Sequence, residues 1–184
     1  MSRRWHLLCL LLALLIGPML AGPGPAHAYS PEIEAHVDDT LKRFYRHIHS
    51  GRELVAKAAA VLVFPNVVKA GFGIGGEYGE GALRVGGKTA AYFSTASASI
   101  GFQIGLQGRS VLILFMTKDA LVNFRHRDGW EIGVDGSVTV INVGAAGQFD
   151  TNNISDPIVG FIFDGKGLMY NLTLEGSKIS RIHR

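Results

Sequence analysis

Two hydrophobic periods divide the chain. Ile33, Val37, Leu41, Phe44, Tyr45 and Ile48 recur at three- and four-residue steps, the apolar stripe of a helix that Ser30 can cap and Pro31 can begin. Gly51 ends or kinks that helix, and Arg52 to Ala60 reads as a short second one. Val61-Leu62-Val63-Phe64 is then too short an apolar run for a helix and is closed by Pro65, so a buried strand is expected. Phe72, Ile74, Tyr78, Leu83 and Val85 alternate with glycines. That pattern predicts a hairpin, with one strand near Gly71 to Tyr78, a turn near Glu80-Gly81 and a return near Ala82 to Gly86.

Strands are further expected at Ala90 to Ser94, Ala98 to Leu106 and Val111 to Met116, with Gly108-Arg109 as the turn between the last two. Within Ser97 to Gly105 one face is apolar and the other small, a surface that could lie under a helix or line a cavity. Thr117 caps a short helix, Lys118 to Phe124. Strands follow at Glu131 to Val134, Ser137 to Ala145, Ile158 to Asp164, Leu168 to Leu174 and Ile179 to Ile182, with Asp164-Gly165-Lys166-Gly167 and Glu175-Gly176-Ser177 as turns. The expected fold class is α+β: a predominantly antiparallel β-sheet, sandwich or barrel-like, with N-terminal amphipathic helices packed on it. No linker divides the sequence, so residues 29–184 read as one domain, helical over 30–60 and β-rich over 61–184.

The first 28 residues stand apart. Arg3 and Arg4 precede the apolar run Leu7 to Ile16, and Ala26-His27-Ala28 offers small residues for cleavage before Tyr29, so residues 1–28 read as a signal peptide. Export to a periplasmic or secreted location is expected, with association with the cell envelope left open. The single cysteine, Cys9, lies in this segment, and losing Arg3 and Arg4 leaves 16 basic against 15 acidic side chains where the whole chain carries +3. So balanced a chain lacks the strong field that nucleic-acid binding uses, and any charged partner must be met by local clustering.

Such a cluster lies on the first helices. Glu32, Glu34, Asp38 and Asp39 open the first helix, whereas Lys42, Arg43 and Arg46 close it, followed by Arg52 and Lys57. One reading makes these charges a solvated face matched to the helix dipole. The other brings the basic end to anionic lipid head groups, with Phe44 and Tyr45 near the boundary. Enzyme chemistry has little support. There is no Gly-x-Ser-x-Gly elbow and no phosphate loop, His47 and His49 diverge on a helix, and no cofactor or metal site is expected. Gly71-x-Gly73-x-x-Gly76 has dinucleotide-fingerprint spacing, yet Glu77-Tyr78-Gly79-Glu80-Gly81 follows where a helix should start.

Val63-Phe64-Pro65 with Lys69-Ala70-Gly71-Phe72-Gly73, then Gly76-x-x-Gly79-x-Gly81, Gly101-Phe102-Gln103-Ile104-Gly105-Leu106-Gln107, Gly165-Lys166-Gly167-Leu168 and Leu174-Glu175-Gly176 form an ordered set. From about Leu54 onward the sequence resembles the SYLF domain family, also described as an actin-binding domain after its fungal members. The resemblance implies a non-enzymatic module that contacts membrane peripherally through phospholipids, phosphoinositides in eukaryotic members. It implies actin only for the eukaryotic branch, an unexpected partner for a secreted protein. The charge pattern, not the resemblance, nominates Lys42, Arg43, Arg46, Arg52, Lys57 and Lys69 as lipid-binding and Phe44 and Tyr45 as membrane contacts. The alternative is an envelope structural or adhesive protein that binds another protein through its glycine-rich sheet.

Overall fold

The computed structural model describes residues 30–143, 155–166 and 174–184. These form three helices, α1 (Pro31–His47), α2 (Gly51–Lys57) and α3 (Lys118–Arg125), and six strands: β1 (Ala60–Val85), β2 (Lys88–Phe115), β3 (Trp130–Glu131), β4 (Thr139–Asn142), β5 (Ile158–Lys166) and β6 (Lys178–Ile182). The strands make one sheet in the order β3-β6-β2-β5-β4, with β1 also paired to β2. Every pairing is antiparallel except β4 with β5.

The expected class holds, but its central piece differs from the sequence reading. β1 and β2 are two unusually long strands of one hairpin, paired from Ala60↔Phe115 to Val85↔Lys88 with three register irregularities along the way. The turn lies at Gly86 and Gly87, whose φ values of 56° and 79° are those that two-residue hairpin turns require. Glu80-Gly81 and Gly108-Arg109 are therefore strand residues, not turns. Nor does Pro65 end its strand: it falls at a register irregularity between Phe64 and Val67, where the missing N–H costs no ladder bond.

What the glycines do instead is let the hairpin fold over on itself. A Cβ on Gly79 would sit 2.8 Å from Asn66 O and 2.9 Å from Val67 Cγ2, and one on Gly81 would collide with the Val63 carbonyl. The first and second halves of β1 thus cross at backbone contact, and Lys69 faces Glu77 within the same strand. The reversal coincides with a register irregularity between Gly71 and Gly73.

Burial follows the alternation of strand residues. Val61, Val63, Leu112, Leu114, Val159, Phe161 and Phe163 join Val37, Phe44 and Ile48 of the first helix in one cluster. Leu62, Phe64, Ile113, Phe115 and Ile162 join Leu121 and Phe124 of α3, Trp130 and Ile179 in the other. Phe44 packs edge-on to Phe161 at a centroid distance of 5.0 Å and Phe124 edge-on to Trp130 at 5.6 Å. Each such ring contributes roughly 1.5–3 kcal/mol by burial.

Smaller differences have local causes. Gly51 opens α2 rather than ending α1, and Ile48 caps α1 with its N–H on Phe44 O. The expected strand from Glu131 shortens to Trp130–Glu131 because the chain turns at Gly133, φ 90°. The strand expected over Leu168 to Leu174 lies outside the described residues apart from Leu174, which is buried in a turn.

Candidate docking surface

Two polar networks tie α1 to the sheet, one at each end. Near its start, Glu34 is buried with 8% of its surface exposed. Its carboxylate accepts hydrogen bonds from Arg84 Nη2 at 2.7 Å, Thr89 Oγ1 at 2.7 Å and the Tyr92 hydroxyl at 2.7 Å, and Asp38 accepts from the same Arg84 Nη2 at 2.7 Å. Ser30 N–H donates to the Tyr92 oxygen at 3.3 Å. Buried carboxylates persist when hydrogen bonds replace the lost water, as they do here.

Near its end the signs reverse. Asp164 of β5 accepts from Arg43 Nε at 2.6 Å and faces His47 Nε2 at 3.0 Å. Arg43 also pairs with Asp39 one turn back and donates to Thr40 Oγ1 at 2.8 Å and Ser110 Oγ at 3.3 Å. Ser110 in turn donates to Pro65 O at 2.8 Å. Asp164 stands in a bulge: Gly108 pairs with Lys166 but Ser110 with Phe163, so β5 carries one extra residue there. Its φ of 56° is the left-handed conformation that Asp tolerates, and the bulge aims the carboxylate at the helix. Burial is the largest single influence on this carboxyl and raises its pKa. The hydrogen bonds and charges of Arg43 and His47 together outweigh burial and hold it below the ordinary value.

The nominated residues divide accordingly. Lys42 and Arg46 are exposed one helical turn apart on the outer face of α1, and Arg52 is exposed on α2 with its guanidinium 4.6 Å from the Tyr45 ring centroid. Among the described residues no carboxylate lies within ion-pair distance of these three cations. Lys57 is exposed but pairs with Glu53 at 2.7 Å. Arg43 is half-buried and held as described, which makes it part of the helix anchor. Lys69 is in the ribbon, 3.4 Å from Glu77, a carboxylate also engaged by the buried Arg109 at 2.5 Å. Phe44 corrects the expectation: it has no exposed surface and is a core residue, because the apolar stripe of α1 faces the sheet. Tyr45 is half-buried, and burial raises its hydroxyl pKa against the opposing charge of Arg52.

Between the halves of the folded ribbon, Phe64, Val67, Glu77, Thr95, Arg109 and Ile113 line a cavity of about 10 Å³, room for about one water. Most side chains of the small face expected over Ser97 to Gly105 lie outside the described residues. Among those described, no group of acidic, His or Cys side chains could hold a metal, and no helix is long and apolar enough to cross a membrane.

Sequence reasoning missed Glu34, Arg84, Thr89, Tyr92, Ser110 and Asp164 as the groups that hold α1. Asp164-Gly165 did signal left-handed backbone, but that signal read as a hairpin, and nothing local couples it to Arg43, 121 residues away.

Residues 96–183 match the family model described as Ysc84, Las17-binding protein actin regulator. Over that segment the chain is similar to the SYLF domain. The matched segment begins within β2 and runs through α3 to the end of β6, so α1, α2 and most of the β1–β2 ribbon, with every nominated docking residue, precede it. Among curated proteins none matches the sequence.

Proposed function

We propose that this protein, similar to the SYLF domain over residues 96–183, is an exported, non-enzymatic module that docks peripherally on anionic phospholipid head groups through the outer face of α1 and the adjoining α2. The observation that carries the reading is the trio Lys42, Arg46 and Arg52, exposed on α1 and the α2 that follows it, without a carboxylate at ion-pair distance among the described residues. Each such cation contributes about 1 kcal/mol near an anionic surface, so three support reversible, salt-sensitive adsorption. The buried stripe of α1 remains in the core, which makes docking a matter of head groups and not of deep insertion. Lys57 and the Tyr45 ring extend the same surface, whereas Arg43 and Lys69 serve structure. Export rests on the N-terminal apolar run and its small-residue cleavage pattern.

Co-sedimentation of residues 29–184 with phosphatidylglycerol-containing and with pure phosphatidylcholine vesicles, at low and high salt, tests this. Binding to the anionic vesicles alone, lost at high salt, is expected; equal binding to both kinds would sink it.

The family's description favours a second reading, an actin-related protein partner, and the expectation that actin is an unsuitable partner gains no support from it. Co-sedimentation with actin filaments, in the absence of lipid, separates the two readings.

A further inference from the structure

The docking reading leaves two exposed imidazoles unexplained, His47 and His49, at the end of α1 and in the turn that leads into α2, between Arg46 and Arg52 in sequence. We infer that His47 and His49 make adsorption on an anionic phosphodiester surface strengthen as pH falls; the inference rests on the lipid-docking reading. Imidazole is the side chain that ordinarily changes charge between pH 5 and 8. Asp164 on β5 faces both His47 and Arg43, and Arg43 is shared with Asp39. With a neutral imidazole this group carries one carboxylate in excess, beside the cations that do the docking. With an imidazolium it is balanced.

From another side His47 meets the Phe163 ring of β5, at 5.9 Å between centroids. His49 is exposed in the turn, with Arg46 before it and Arg52 and Glu53 after it in sequence. Protonation of the pair therefore adds two charges to a surface whose uncompensated cations are Lys42, Arg46 and Arg52. Phosphodiester head groups keep their charge over this range, so the change belongs to the protein. Two added charges correspond to roughly tenfold tighter adsorption after allowance for salt screening.

The test is vesicle binding by the mature protein at about pH 5.5 and pH 8, with phosphatidylglycerol and phosphatidylcholine vesicles at one salt concentration. Wild type should bind about tenfold more tightly at the lower pH, and the double variant His47→Gln, His49→Gln should lose most of that ratio. Glutamine keeps an N–H for Asp164, and a urea melt checks that the variant is folded. A triple variant at His36, His126 and His183, each to Gln, should keep the ratio. Binding by wild type that is equal at the two pH values overturns the inference while leaving lipid docking standing. An unchanged ratio in the double variant overturns it too. Binding at neither pH overturns lipid docking and the inference with it.

Discussion

The two ends of α1 are anchored by the same kind of chemistry with opposite sign and different burial. At the start, a helix carboxylate, Glu34, is buried among Arg84, Thr89 and Tyr92 of the ribbon. At the end, Arg43 and His47 of the helix reach a sheet carboxylate, Asp164, that is about a quarter exposed. The first end spends its most buried charge inside the protein. The second spends Arg43 and leaves Lys42 and Arg46 facing out. An acidic-then-basic helix thus becomes an internal fastening at one end and an outward basic surface at the other, and burial rather than charge makes the difference.

The comparison breaks most severely at Glu34. Glu34→Ala removes the shared acceptor of three donors, leaves Asp38 as the remaining carboxylate on Arg84, and should cost about 3 kcal/mol of stability in urea denaturation. A loss below about 1 kcal/mol would mean that the two anchors do not differ as their burial implies. Asp164→Asn comes next, at about 1 kcal/mol, discounted for solvent screening. Asparagine tolerates the left-handed backbone there, so the change reports on charge. Because the folded carboxyl lies below its ordinary value of 3.8, its contribution is complete above that value and is lost as pH falls through the lowered one. The stability gap between wild type and variant should therefore close in strong acid, as pH falls through the lowered value; a gap that persists there would assign it to packing.

The smallest stability effect belongs to the outer face. Reversing Lys42 and Arg46 to Glu should change stability by less than about 0.5 kcal/mol, since neither side chain is buried. Adding Arg52→Glu should abolish most vesicle binding while the urea midpoint stays put. Reversal of Arg43 in this set would confuse the two effects, because Arg43 holds the helix to Asp164 and Ser110.

Much of the architecture was legible locally. The stripe from Ile33 to Ile48 announced α1, Thr117 announced α3, where its hydroxyl accepts from Ala120 N–H at 3.2 Å, and period two announced the strands. The long ribbon was not. Glycine marks turns and close backbone approaches alike, so Gly81 read as a turn when its role is to pass the Val63 carbonyl. Phe44 read as a candidate membrane contact for a related reason: an amphipathic stripe fits a bilayer boundary as well as a sheet, and only the presence of Phe161 and Phe163 decides between them.

The sequence by itself determined the α+β class, the amphipathic first helix and its polarity from acid to base, because those depend on residues three or four apart or on strict alternation. The tertiary structure decided which charges are available, because the deciding partners are remote: Arg84 meets Glu34 across 50 residues and Arg43 meets Asp164 across 121. A charge is free or bound according to what the fold places beside it, and burial sets what that pairing is worth.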